Sequence, residues 1–105
     1  MLYKLYISRS NAEDKLPDSV MERVFKGFQE IYKEYGVKVI GAWDNADDPL
    51  ERYLITAYKD AAHYEESVSK MRVNKRYKKL SEERQASRET VKVVTLTTIP
   101  GSPSE

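Results

Sequence analysis

One histidine, one tryptophan, eight tyrosines and no cysteine limit the chemistry this chain of 105 residues can perform. His63 is the natural general base at neutral pH. As a metal ligand it lacks a histidine or cysteine partner, and carboxylates alone make a weak transition-metal site. Its place in the first turn of a helix capped by Asp60 suits a surface histidine as well as a reactive one. Without cysteine there are no disulfides and no thiolate chemistry, as in a reducing compartment. The tyrosines offer neutral hydroxyl donors on apolar rings. Tyr6, Tyr53 and Tyr58 fall on strand-like segments, where they either pair across a sheet or orient a substrate oxygen. Trp43 suits a pocket wall or an interface anchor. Arg9 and Arg52 stand at strand ends, able to fork onto a ligand carboxylate or to pair with Asp44, Asp47 or Asp48.

The elements that must position these residues follow from periodicity. Residues 2–9 (LYKLYISR) read as a strand with Leu2 and Tyr6 on one face and Tyr3, Leu5 and Ile7 on the other. Ser19 with Glu22 forms a capping-box pattern at the start of an amphipathic helix carrying Val20, Val24, Phe28, Ile31 and Tyr35, flanked by Met21, Phe25 and Tyr32. Gly36 is its natural stop. Val37–Trp43 is a second strand, residues 44–49 an acidic loop, and Arg52–Tyr58 a third strand. Asp60 caps a second helix through Ala61, Tyr64, Val68 and Met71. Asn74 breaks it, a further helical piece spans about 75–87, and Thr90–Ile99 closes the chain as a β-branched strand.

The order β-α-β-β-α-β predicts an α+β, ferredoxin-like sandwich: a four-stranded antiparallel sheet with helices on one face. A sheet with one wet face alternates apolar and polar residues. Here both parities are apolar, with Val37, Val39 and Trp43 against Ile40 and Ala42, and Tyr53 and Ile55 against Leu54 and Tyr58. A second copy is the expected cover, giving a homodimeric α+β barrel.

Composition sets the remaining bounds. With 40% hydrophobic and 33% charged residues the chain should fold rather than stay disordered. A net charge of +1 gives no global pull toward nucleic acid or membrane. Residues 70–92 carry nine basic against three acidic side chains, which a solvated helix face explains as well as a phosphate footprint. No apolar run suits a membrane helix, and the first ten residues lack the apolar block of a signal peptide, so a cytoplasmic location is expected. One domain over 1–99 with a frayed tail over 100–105 is the expected organisation.

Three stretches together resemble the NIPSNAP family of the dimeric α+β barrel superfamily. They are Val39-Ile40-Gly41-Ala42-Trp43, Pro49-Leu50-Glu51-Arg52 and Ala57-Tyr58-Lys59-Asp60-Ala61-Ala62, with Arg76-Tyr77 and Leu80 in keeping. The resemblance implies a homodimeric barrel and supplies no catalytic residue set. Sister families include cofactor-free monooxygenases, haem-degrading enzymes and ligand-binding domains. The haem-degrading pattern needs an Asn on the first strand, a Trp on the third and a His in the second helical region. This chain has no Asn on the first strand, Tyr58 in place of the Trp, and no His around Arg76-Tyr77. No cofactor or metal is expected.

RNA-recognition modules share the element order and expose aromatics on strands one and three. The glycine they carry early in strand three is absent here, and the loop before it is acidic. The resulting expectation is a pocket between sheet and helices lined by Tyr6, Trp43, Tyr58, Tyr64 and Tyr77, with His63 or an arginine near its rim. It would hold a small apolar or aromatic ligand, in a binding domain or a cofactor-independent enzyme of the monooxygenase type. A non-catalytic scaffold domain is the alternative.

Overall fold

Pairing of four strands organises the chain, as seen in a computed structural model that describes residues 1–11, 16–85 and 90–102. The elements are β1 (Leu2–Arg9), α1 (Asp18–Glu34), β2 (Lys38–Asn45), β3 (Asp48–Tyr58), α2 (Ala61–Arg72), α3 (Lys75–Gln85) and β4 (Thr90–Thr97). The sheet is antiparallel throughout, in the order β2-β3-β1-β4. This is the α+β, ferredoxin-like layout expected from the sequence. Its second helical region is divided at Asn74, whose Oδ1 accepts the Tyr77 N–H at 2.9 Å and so starts α3. Residues 86–87 of the expected helix and 103–105 of the expected tail lie outside the described residues.

Local chemistry explains the boundaries. Gly36 adopts φ +69°, and the N–H groups of Gly36 and Val37 close on the carbonyls of Lys33 and Tyr32 at 3.2 and 2.9 Å. That Schellman geometry satisfies the last turn of α1 and needs a left-handed residue. Asp60 caps α2 by accepting the His63 N–H at 2.8 Å. The Ser19–Glu22 capping box does not form, because the helix begins earlier at Asp18. Pro17 holds the cap position, with its carbonyl accepting from Val20 and Met21 at 3.0 and 3.1 Å. Pro17 supplies no side-chain acceptor, and Ser19 is already helical.

The acidic loop expected over 44–49 is mostly strand. Only Ala46 and Asp47 turn the chain, with the Asp47 N–H held by Asn45 Oδ1 at 2.9 Å. Asp44 pairs with Arg52 at 3.1 Å, and Asp48 pairs with Arg9. Paired in this way, the acids no longer repel along the hairpin. The Arg9 hydrogen bond, helped by the Leu50 N–H, holds the Asp48 carboxyl below its ordinary value.

The register sorts the strand residues into two faces. Leu2, Lys4, Tyr6 and Ser8 stand beside Leu54, Thr56 and Tyr58 under the helices. Tyr3, Leu5, Ile7, Tyr53, Ile55, Val94 and Leu96 share the opposite face, which no helix covers. The core lies between α1 and the covered face: Val24, Phe28, Ile31, Tyr32, Val37, Tyr58, Met71 and Leu80. The bulk of Leu80 sits over Gly27, where an added Cβ would come within 2.7 Å of Leu80 Cδ1. Gly27 therefore lets α3 approach α1 closely. Among the described residues no helix is long and apolar enough to cross a membrane.

Candidate functional site

Between the covered sheet face and the helices lies a cleft of about 690 Å³. Such a volume suits a small organic ligand. The sheet contributes Tyr6, Ser8 and Leu54, α1 contributes Met21, Phe25, Phe28 and Tyr32, and α2 and α3 add Val68, Met71 and Tyr77. These positions meet because a three-to-four spacing on α1 and alternation on β1 and β3 aim the same apolar stripes at one another. Arginines 52, 72 and 84 and the acids Asp18, Glu22 and Asp44 complete the lining.

Burial holds three phenols beneath the helices, those of Tyr6 and Tyr32 in the cleft and that of Tyr58 beyond it, in their neutral form. Burial pushes Tyr6 far above its ordinary value of 10.0, with Tyr58 adding to the effect. Tyr32 is also pushed up, by burial first and then by Tyr77, against a smaller opposing pull from Arg84. Tyr58 rises by burial, opposed by hydrogen bonds it receives from Thr56 Oγ1, at 3.2 Å, and from Tyr6. These phenols can donate or accept hydrogen bonds. They do not serve as bases.

Of the residues expected at the site, Tyr6, Trp43 and Tyr77 line the cleft. Trp43 borders it only from the edge strand, because its pairing with Tyr53 sets its side chain on the face away from the helices. It is 50% exposed, pairs with Tyr53, and lies across Gly41, where a Cβ would meet its Cη2 at 2.7 Å. Tyr58, Tyr64 and His63 stand outside the lining. Tyr58 is at the far end of β3, paired with Leu2, with its ring 4.9 Å edge-on from Tyr64. Lys4 Nζ lies 4.1 Å over the Tyr64 ring and covers it. Both ring nitrogens of His63 are engaged with backbone: Nδ1 accepts the Lys59 N–H at 3.1 Å, and Nε2 lies 2.9 Å from the Tyr35 carbonyl. With Nδ1 accepting, Nε2 carries the proton and donates. His63 thus ties the start of α2 to the end of α1. Arg9 and Arg52, the candidate carboxylate forks, are engaged by Asp48 and Asp44.

Sequence periodicity placed Tyr32 beside the α1 stripe without giving it a role, yet it is a wall of the cleft. The basic run is partly paired as well, Lys70 with Glu66 at 2.7 Å and Arg76 with Glu30 at 2.5 Å. Exposed pairs of this kind contribute about 0–1 kcal/mol each. Among the described residues no group of three or more His, Cys, Asp or Glu side chains could hold a metal ion.

No family model matches the sequence, and no curated protein matches it significantly. Solved structures match along nearly the whole length. A NIPSNAP family protein of unknown function from Agrobacterium tumefaciens superposes with a TM-score of 0.82 at 16% identity, covering 98% of this chain and 92% of that one. The fold is that of the NIPSNAP proteins. An uncharacterized NIPSNAP domain protein from Burkholderia xenovorans gives a TM-score of 0.71 at 18% identity, covering 98% of this chain and 99% of that one. An antibiotic biosynthesis monooxygenase shares the NIPSNAP-like architecture with a TM-score of 0.62 at 15% identity, over 95% of this chain and 100% of the other. At these identities the likeness is one of fold, and the chemistry rests on the cleft itself.

Proposed function

We propose that this chain is a NIPSNAP-like homodimeric protein that binds a small apolar or aromatic ligand in the cleft between sheet and helices. The observation that carries this reading is a 690 Å³ space walled by Met21, Phe25, Phe28, Leu54 and Met71 and dotted with tyrosines. A ligand there removes apolar surface from water at about 25 cal/mol per Å². Neutral phenols then fix its orientation. Binding is favoured over oxygenation because the described site offers hydroxyl donors but no free base: Tyr6 and Tyr32 are held protonated and His63 is engaged on both nitrogens. The apolar face carrying Leu5, Ile7, Ile55 and Val94 supports pairing with a second copy, sheet against sheet.

Titration calorimetry with 2-naphthol tests the binding reading. The expected result is one molecule bound per chain, lost in Val68→Trp, which fills the cleft from the helix side while the fold is retained. Absence of binding, or binding unaffected by the filled cleft, would favour the scaffold alternative.

A further inference from the structure

Six charged side chains line the cleft, and none is both sheltered from solvent and free. Arg52 is held by Asp44 at 3.1 Å, and Glu22 lies 3.4 Å from Lys26. The Arg84 guanidinium stands 5.2 Å over the Phe28 ring and is engaged as well. Asp18 and Arg72 make no ion pair among the described residues, but both are exposed. An exposed charge strengthens the binding of an opposite one by no more than about fivefold. A charged group carried inward past Phe25, Leu54 and Met71 leaves its water without gaining a counter-charge, and that costs far more.

The uncharged polar groups of the interior are donors. The Tyr32 ring stacks 6.4 Å from Phe28, and Tyr77 meets the same Phe28 ring edge-on at 5.3 Å. Neither phenol oxygen bonds a described residue, and neither is sealed off from the cleft that both side chains line. The buried side-chain oxygens without a hydrogen-bond partner, among the described residues, are instead those of Ser81, Glu83 and Thr98, and none of these lines the cleft. Two phenolic O–H groups beside an apolar space offer a bond to any acceptor placed there. A carbonyl oxygen accepts such a bond without bringing a charge.

We infer that the ligand of this cleft is an uncharged molecule carrying a hydrogen-bond acceptor, an ester or a ketone, its acceptor oxygen taken by the Tyr32 and Tyr77 phenols and its apolar part lying against α1. This rests on the binding function proposed above and adds the class of ligand. An acid or an amine of the same shape is disfavoured, because the interior offers neither a free cation nor a free anion to receive it.

Methyl 2-naphthoate, 2-naphthoate and 2-naphthylmethylamine share a ring system and differ in charge. Equilibrium dialysis against the intact protein at neutral pH should show the ester bound at least about tenfold more tightly than either ion. Tyr32→Phe should weaken the ester about fivefold, and naphthalene, which has no acceptor, less than about twofold. Tyr77→Phe repeats the comparison if Tyr32→Phe does not fold. Either ion bound as tightly as the ester would overturn the uncharged ligand. An ester affinity untouched in the variants that fold would overturn the acceptor contact. Failure of the ester and naphthalene alike would remove the binding function itself.

Discussion

Tyr6, Tyr32 and Tyr58 share a physical constraint: each is buried, and burial disfavours the phenolate. An acid whose folded pKa exceeds its unfolded value stabilises the fold only while the unfolded chain also stays protonated. The stability these three contribute is therefore full below their ordinary value of 10.0 and is lost as pH climbs above it. Absorbance titration of the eight tyrosines should show three that resist ionisation until the chain unfolds. Reversible ionisation of all eight near 10 in the folded protein would contradict the burial described here. The tyrosine content was legible in the sequence, and so was the placement of Tyr6 and Tyr77 on cleft-facing stripes. What periodicity cannot encode is height along a strand. Tyr6 and Tyr58 share a face, but Tyr58 lies opposite Leu2, at the end of the sheet where α2 begins. His63 was legible as a first-turn residue, whereas its bridge to the Tyr35 carbonyl joins positions far apart in the chain. Tyr32 looked like ordinary core because a stripe shows only which way a side chain faces.

Packing of α3 on α1 is the contact on which the cleft's helical wall depends. Leu80 is 8% exposed and sits against Gly27, where no side chain separates the helices. Leu80→Ala should destabilise the fold by about 2–5 kcal/mol, measured by urea denaturation. A cost under about 1 kcal/mol, the range of a surface change, would mean that α3 is not docked as described. Elements with a chemical signature at their ends were the readable ones: Gly36 after α1, Asp60 before α2 and Asn74 before α3. The β2–β3 connection misled because Asp44, Asn45, Asp47 and Asp48 have loop composition. Arg52 and Arg9 instead pair with Asp44 and Asp48, and the Asn45 amide bonds Glu51, Tyr53 and the Asp47 N–H, which lets the strands run almost to the turn. The capping-box pattern failed for a related reason, since Pro17 fixed an earlier start for α1.

At the scale of the whole molecule, apolar residues on both parities of the strands signalled a sheet with two dry faces. The structure covers one of them and leaves Leu5, Ile7, Ile55 and Val94 on the other. Light scattering at low micromolar concentration should give about twice 12.2 kDa, falling to the monomer mass for Ile55→Arg. A wild-type monomer would remove the reason for expecting a barrel. Opposite that face lies the cleft proposed to bind a ligand, and a crystal structure of the protein soaked with 2-naphthol tests this proposal most directly. The expected result is density for the ligand between Phe28 on α1 and Leu54 on β3, within hydrogen-bond reach of a cleft tyrosine. A well-ordered protein with the cleft closed by its own side chains, or with the ligand bound only elsewhere, would contradict it.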